Sequence, residues 1–259
     1  MKQSIKKWTL RLSVSGLLLL VLLASFILNP SFLYAHKTII GNNTIYHNAP
    51  IDSIVKIRLQ DASEIIKSSE LYDANLKYDI CLNDGSFYPE FIHSLFDDPF
   101  IATFYNKIIF WGVINFKDNY GLDNGHKWNM AQAIAHAQIH CLQFNKLGLW
   151  KSNPLAGQPN WKWEGYAEYI ARKQSINNNL KTNLYNLVKA EKLQNNNWIE
   201  FSDSTGSSIL FYKRRLMVQF CAEVKKMNFE QLLEDTATEE IIMTEMMSWY
   251  IKETKQIVL

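Results

Sequence analysis

Hydrophobic residues form one uncharged run near the N-terminus and, after it, shorter segments with the periodicities of helices and strands. The run covers residues 12–28, which is close to the lower limit for a helix that spans a membrane. The later segments alternate with polar residues, as expected for a folded chain in which each element buries one face. The pattern divides the chain into an anchor or signal segment, residues 1–35, and one domain, residues 36–259.

The first part of that domain has the signals of strands. Alternation over residues 38–46, around Gly41-Asn42-Asn43, predicts a hairpin. Residues 51–66 carry apolar side chains at helical spacing and predict an amphipathic helix. Residues 78–82 and 107–116 are predicted to be two further strands, and the second is apolar enough to be buried. We therefore expect a small sheet in this part of the chain.

From residue 124 onward the pattern is mainly helical. A long amphipathic helix is predicted from about Trp128 to Leu147, ending near Gly148, and a second helix is predicted to begin after Pro159. Four more helices are predicted over residues 180–193, 207–226, 229–234 and 239–252. The expected fold class is α+β, with a small N-terminal sheet and a mostly helical C-terminal part behind one N-terminal transmembrane helix.

Charge around the apolar run predicts its orientation. Four basic residues and no acidic residue precede the run, which places the N-terminus in the cytoplasm. Cleavage after Ala35 would put Leu33 at the −3 position, where signal peptidases prefer a small residue. The sequence therefore favours a retained single-pass anchor with the domain on the extracytoplasmic side. The alternative is secretion after cleavage near Ala35.

The charge and the cysteine content of the chain argue against nucleic-acid binding and against a disulfide framework. The formal net charge is +2 and no basic stripe is present, so no nucleic-acid partner is expected. Cys81, Cys141 and Cys221 are too few and too scattered for a disulfide framework. Cys141 directly follows His140, and we interpret it as a small buried residue rather than as a nucleophile.

Four residues form a candidate metal site. His136 and His140 lie four apart on the long predicted helix, so both imidazoles share one face. Glu164 on the next predicted helix can supply a third ligand, and three protein ligands plus an open position are typical of catalytic zinc. Glu168, one turn later, can accept a hydrogen bond from a ligand imidazole. The alternative is a pair of partly buried histidines bonded to backbone or water.

The two segments that carry these residues resemble the gluzincin metallopeptidases, and among them the membrane-anchored, peptidase MA-like bacterial proteins. Residues 133–143 read Ala-Ile-Ala-His-Ala-Gln-Ile-His-Cys-Leu-Gln, and residues 163–169 read Trp-Glu-Gly-Tyr-Ala-Glu-Tyr. They match the HExxH and E-G-x-x-E-Y segments of that family. The likeness extends over roughly residues 50–235, but only these two segments are specific.

The resemblance implies a zincin-like domain that acts on a peptide or protein. It implies His136, His140 and Glu164 as zinc ligands and Glu168 as the residue that orients a ligand. It also suggests Tyr212, on a downstream helix, as an oxyanion donor, although packing is the more usual role for a tyrosine in a chain that has twelve of them. Four aromatic residues near the motif either line a cleft or fill the core: Trp161, Trp163, Tyr166 and Tyr169.

One position departs from the family pattern. The general-base glutamate of the HExxH motif would fall at residue 137, which is Ala137, and a methyl group cannot take a proton from the attacking water. Gln138 cannot replace it, because at about 100° per residue it points away from both histidines. A positioned base contributes about 10²- to 10⁴-fold. The sequence therefore predicts either a weak metallopeptidase or an inactive pseudopeptidase that binds a peptide or protein.

Overall fold

The chain begins with a long apolar helix. The structure, a computed structural model, describes residues 2–94, 100–123, 125–153, 157, 160–174, 178–193 and 197–255. Helix α1 spans Lys2–Leu28 and a short 3₁₀ turn follows at Pro30–Phe32. The part of α1 from Arg11 to Leu28 is long and apolar enough to cross a membrane, by length and composition. The predicted apolar helix is confirmed, and it starts well before residue 12.

A five-stranded mixed sheet follows, with strand order β1-β2-β3-β5-β4. Strands β1 and β2 form the predicted hairpin, β2, β3 and β5 run parallel, and β4 pairs antiparallel with β5 at one edge. Helix α2 (Ile54–Ile66) follows the hairpin, and the short helix α3 (Phe87–His93) follows β3. The strands are β1 His36–Ile40, β2 Asn43–His47, β3 Tyr78–Cys81, β4 Ile101–Phe104 and β5 Lys107–Phe110.

The single strand predicted over residues 107–116 is wrong. It is two strands, β5 and β6 (Val113–Asn115), which belong to different sheets. The backbone N–H groups of Trp111 and Gly112 both donate to the carbonyl oxygen of Phe100, so the chain turns here. A Cβ at Gly112 would lie 2.5 Å from Phe100 Cβ, and only glycine fits this close approach. The apolar run concealed the break because it continues from β5 into β6.

The expectation that the chain is mainly helical after residue 124 also needs correction. Strand β7 (Tyr120–Asp123) and strand β8 (His126–Asn129) complete an antiparallel three-stranded sheet with β6. Trp128, predicted on the long helix, lies in β8, and its ring is 5.0 Å from the ring of Trp198. Strands β9 (Trp198–Glu200) and β10 (Gly206–Ser208) form a further antiparallel pair. Strands this short give no clear periodicity.

Six helices complete the described chain. Helix α4 begins after Asn129, whose side chain accepts from Gln132 N, and ends before Gly148. Helix α5 begins after Asn160, and the predicted start at Pro159 lies outside the described residues. Helix α4 packs against the five-stranded sheet, α2 and α5, and α5 packs against α7. The helices are α4 Met130–Leu147, α5 Trp161–Arg172, α6 Leu180–Leu193, α7 Ile209–Glu223, α8 Phe229–Glu234 and α9 Glu239–Lys255.

Candidate metal centre

Helices α4 and α5 bring three potential ligand atoms together. His136 Nε2 lies 2.9 Å from His140 Nε2, and both nitrogens lie 3.4 Å from Glu164 Oε2. Two ligand atoms each about 2.0–2.1 Å from one tetrahedral ion are separated by about 3.3 Å. The two nitrogen–oxygen separations match this value and the nitrogen–nitrogen separation is shorter, so the three atoms lie close enough to share one ion. The structure brings together the three residues that the sequence predicted as ligands.

The position of Glu164 depends on close packing of α5 against α7. Gly165 follows Glu164, and a Cβ at Gly165 would lie 2.5 Å from the carbonyl oxygen of Arg214 and 2.7 Å from Val218 Cγ2. Glycine within a helix costs about 1 kcal/mol relative to alanine, but here it allows the two backbones to approach. At the start of α5, the Asn160 side chain accepts hydrogen bonds from Lys162 N and Trp163 N. These contacts fix the turn that carries Glu164.

The tautomer of His140 is determined by a buried glutamine. Gln143 Nε2 donates to the carbonyl oxygen of Trp163 at 3.0 Å, and this bond turns Gln143 Oε1 toward His140 Nδ1, 2.7 Å away. An amide oxygen only accepts hydrogen bonds, so His140 Nδ1 carries the proton. In the neutral imidazole, Nε2 of His140 then carries a lone pair that is directed at His136 and Glu164.

The tautomer of His136 follows from the same logic. Its Nδ1 lies 3.1 Å from Glu168 Oε2, and a carboxylate only accepts, so Nδ1 donates. The other oxygen of Glu168 accepts from Arg172 Nε and from Ser207 Oγ. Burial alone would raise the pKa of Glu168, but Arg172 and His136 hold it well below its usual range. Glu168 is therefore an ionised acceptor, as predicted.

When both imidazoles are neutral, the three facing atoms consequently lack a donor among themselves. Two imidazole lone pairs and one carboxylate oxygen meet in a mostly enclosed site, where the side chains of His136, His140 and Glu164 are 17%, 9% and 15% exposed. Burial lowers the pKa of His136, but the hydrogen bonds to Glu164 and Glu168 outweigh burial and raise it to about 9. Burial raises the pKa of Glu164, while His140 and His136 together bring it below its usual range. The site thus favours a positive centre, either a proton or a metal ion.

Neither of the two residues after His136 supplies a carboxylate to this centre. Ala137 is 1% exposed and belongs to the hydrophobic core. Gln138 is fully buried and donates from Nε2 to Asn43 Oδ1 of β2 at 3.1 Å, so it faces the sheet as its helical position predicted. Among the described residues, the carboxylates that contact the two histidines belong to Glu164 and Glu168. No further acid in this part of the chain is placed beside the histidines to act as a base.

Tyr212 is not part of the cluster. Its hydroxyl donates to Asn183 Oδ1 at 3.0 Å, and the residue is 1% exposed. Tyr212 therefore packs in the core, and its hydroxyl is bonded to Asn183 of α6 rather than directed at the ligands. The aromatic residues of α5 are buried as well, and the Trp163 ring lies nearly parallel to the His140 ring, with centroids 6.1 Å apart.

The cysteines do not form a second reactive site. Cys81, Cys141 and Cys221 are buried free thiols. Burial raises the pKa of Cys141, and a thiol that stays protonated is a poor nucleophile. The interpretation of Cys141 as a small buried residue agrees with its surroundings.

Three supporting residues were not predicted: Gln143, Arg172 and Ser207. Gln143 lies three residues after His140 and therefore on the same side of α4, a signal that the sequence does contain. Arg172 lies four residues after Glu168 on α5 and is also readable as a helical pair. Ser207 comes from β10, and its approach to Glu168 depends on tertiary packing that no local pattern reveals.

Comparisons with known proteins identify no family for this chain. No protein-family model, curated protein or solved structure matches this chain. The function proposed below therefore rests on the residues and their geometry.

Proposed function

We propose that this chain is a membrane-anchored, outward-facing zinc metallopeptidase-like protein whose peptide hydrolysis is weak or lost. One observation supports it above all. Three atoms, His136 Nε2, His140 Nε2 and Glu164 Oε2, lie within 3.4 Å of one another. Each Nδ1 atom faces a hydrogen-bond acceptor, Glu168 or Gln143, so in the neutral imidazoles both Nε2 atoms are unprotonated. Two imidazoles and one carboxylate are a ligand set found at catalytic zinc sites.

A zinc ion held by these three side chains would supply a Lewis acid with an open coordination position. Glu168 and Gln143 hold the two imidazoles in the tautomers that direct Nε2 at the ion. Such supporting hydrogen bonds orient ligands and tune their basicity. The three ligand atoms already lie within 3.4 Å of one another, which supports a preformed site.

A peptide or protein is the proposed substrate or ligand. Among the described strands, β4 pairs with β5 alone and forms one edge of the five-stranded sheet, and α4 packs against β4. An open strand edge can take up an extended peptide through backbone hydrogen bonds. Strand β4 packs against α4, the helix that carries His136 and His140. This arrangement supports a peptide over a small compact molecule as the substrate or ligand.

Ala137 supports the alternative function. A buried methyl group at this position can neither hold nor transfer a proton, and a positioned base contributes about 10²- to 10⁴-fold. The alternative is therefore a catalytically inactive pseudopeptidase that binds a peptide or protein without cutting it. Zinc would then hold the fold of the site rather than accelerate a reaction.

Retention of the N-terminal segment is supported by its contacts with the domain. Tyr34 Oη donates to the carbonyl oxygen of Leu82 at 2.9 Å, and the carbonyl oxygen of Leu33 accepts from Ser86 Oγ at 2.9 Å. Cleavage after Ala35 would remove both bonds and the packing of Leu33 and Tyr34 against the core. We therefore propose a retained single-pass anchor through residues 12–28, oriented by the basic flank.

The metal content of the full chain tests the proposal. Purified in detergent, loaded with zinc and desalted, the protein should retain about one zinc per chain by elemental analysis. His136→Ala should lose it, whereas His93→Ala, which removes an exposed histidine beside Trp111, should retain it. A native chain that holds no more zinc than His136→Ala would refute the metal centre.

A further inference from the structure

The end of helix α1 is joined to the domain by direct contacts rather than by a free linker. Tyr88 Oη of α3 donates to the carbonyl oxygen of Ile27 at 2.8 Å. Ile27 and Leu33 pack against a buried cluster that contains Tyr88 and Ile92. Together with the bonds of Leu33 and Tyr34 to Ser86 and Leu82, these contacts cover almost every turn from the end of α1 to β1. The domain is therefore held at a fixed height above the end of the apolar helix.

Exposed aromatic side chains surround this junction. Phe32 is 69% exposed and Phe87 is 65% exposed. They are neighbours, because Phe32 precedes Leu33 and Phe87 follows Ser86, and Leu33 and Ser86 are hydrogen-bonded. The Phe87 ring stacks on the Phe91 ring with centroids 6.0 Å apart. An exposed apolar patch of this kind usually marks a contact with a partner or a membrane.

Helix α3 contributes residues both to the buried cluster and to this exposed patch. Tyr88 and Ile92 are buried in the core cluster, Phe91 is partly buried and packs against that cluster, and Phe87 is exposed. In a helix directed only at water, the second face would normally be polar. At its exposed positions α3 carries Phe87 together with the polar residues Glu90 and His93, and Phe87 lies beside the end of α1.

We propose that the aromatic surface formed by Leu28, Phe32, Phe87 and Phe91 rests in the interface of the same bilayer that α1 crosses. Phe32 follows Leu28, the last residue of the apolar span, by four residues, which corresponds to about 6–8 Å of helix or 3₁₀ turn. The headgroup layer is about 5–8 Å thick on each side. The rings thus lie at the depth where aromatic side chains anchor proteins to membranes.

This inference rests on the membrane anchor of the proposed function and adds a second contact with the same partner. The bilayer is favoured over a protein partner because the patch is continuous with α1, which already ends there. The domain would be held against the membrane surface rather than free above it.

Spin labels on the full chain in phosphatidylcholine nanodiscs test the proposal. Leu19→Cys labels the middle of the apolar span, Phe87→Cys the aromatic surface, and Ile241→Cys an exposed apolar position on α9. The three native cysteines are buried, and the unsubstituted chain gives their background labelling. The measurement is the accessibility of each label to oxygen relative to a nickel chelate, which increases with depth in a bilayer.

The label at Phe87 should be shifted toward oxygen, between the deep label at Leu19 and the aqueous label at Ile241. If Leu19 is immersed but Phe87 matches Ile241, the anchor is correct and the surface contact is wrong. If Leu19 is aqueous, the membrane anchor fails and the surface contact fails with it. Phe32→Cys repeats the measurement from the 3₁₀ turn, so that misfolding of one variant leaves the result intact.

Discussion

Two adjacent positions on α4 differ completely in their surroundings. His136 is surrounded by charged and polar partners on both ring nitrogens, through Glu164, Glu168 and His140. Ala137, the next residue, lies in an apolar core. The residues that could bind and orient a metal lie together here, whereas the side chain at position 137 has no group that could move a proton. Under the proposed function, metal binding and peptide hydrolysis are therefore separable, and variants test one without the other.

Restoring a base at position 137 should have the largest effect. If the ligands are otherwise competent, Ala137→Glu should raise the turnover of an unfolded protein substrate such as casein by about 10²-fold or more. The reason is that a carboxylate can accept the proton that the methyl group cannot. Turnover is compared between the native chain and the variant, both loaded with zinc, with and without a chelator.

Ala137→Gln is the matched control for this variant, because it has the same size as Ala137→Glu and no basic carboxylate. Ala137→Gln should unfold at a temperature similar to that of Ala137→Glu and show no gain in activity over the native chain. If Ala137→Glu binds zinc normally yet cuts no faster, more than the base has been lost, and the binding-module alternative is favoured. Ordinary peptidase rates in the native chain would show that another residue acts as the base.

Removing the amide that orients His140 should weaken metal binding without touching a ligand. Gln143→Leu leaves His140 Nδ1 and the Trp163 carbonyl without their partners, and loss of such a support costs about 10- to 100-fold in affinity. Gln143→Glu retains an acceptor for Nδ1 and should lose less. Zinc affinity is measured by competition with a chromophoric chelator.

Unchanged affinity in both Gln143 variants would show that the imidazole is held by packing alone. A loss in Gln143→Leu that exceeds the loss in Gln143→Glu is the pattern expected of a positioning residue. A general loss of folding would instead lower the unfolding temperature of the metal-free forms of both variants.

Separating α5 from α7 should have a smaller effect, and it tests whether the ligand cluster depends on helix packing. Gly165→Ala places a methyl group against the Arg214 carbonyl oxygen and Val218, and overpacking of this kind costs about 1–3 kcal/mol. Denaturant unfolding of the metal-free chain measures it. Adding Val218→Ala should recover only part of the loss, since the backbone oxygen stays in place. Full recovery would locate the clash at Val218 alone.

The parts of the fold that were predicted correctly are those with long local signals. Helix α6 spans residues 180–193 as expected, because fourteen residues carry several turns of helical pattern. Residues 107–116 were predicted wrongly, because the turn at Gly112 is caused by Phe100, whose approach is tertiary. Short strands such as β8 and β9 gave too little pattern for a prediction.

The candidate site shows the same division. The histidines and both glutamates were predicted because each pair is four residues apart on one helix. The link from Ser207 to Glu168 crosses from β10 to α5 and has no local signature. Tyr212 was suggested by resemblance alone, and its hydroxyl is bonded to Asn183 instead, which a sequence pattern could not show.

X-ray absorption at the zinc edge of the loaded native chain tests the central claim most directly. The account predicts nitrogen and oxygen neighbours at about 2.0–2.2 Å, the multiple-scattering signature of two imidazoles, and no sulfur. The imidazole signature should be lost in His136→Ala. A sulfur neighbour at about 2.3 Å would mean that a cysteine such as Cys141 binds the metal, and would contradict the site built from His136, His140 and Glu164.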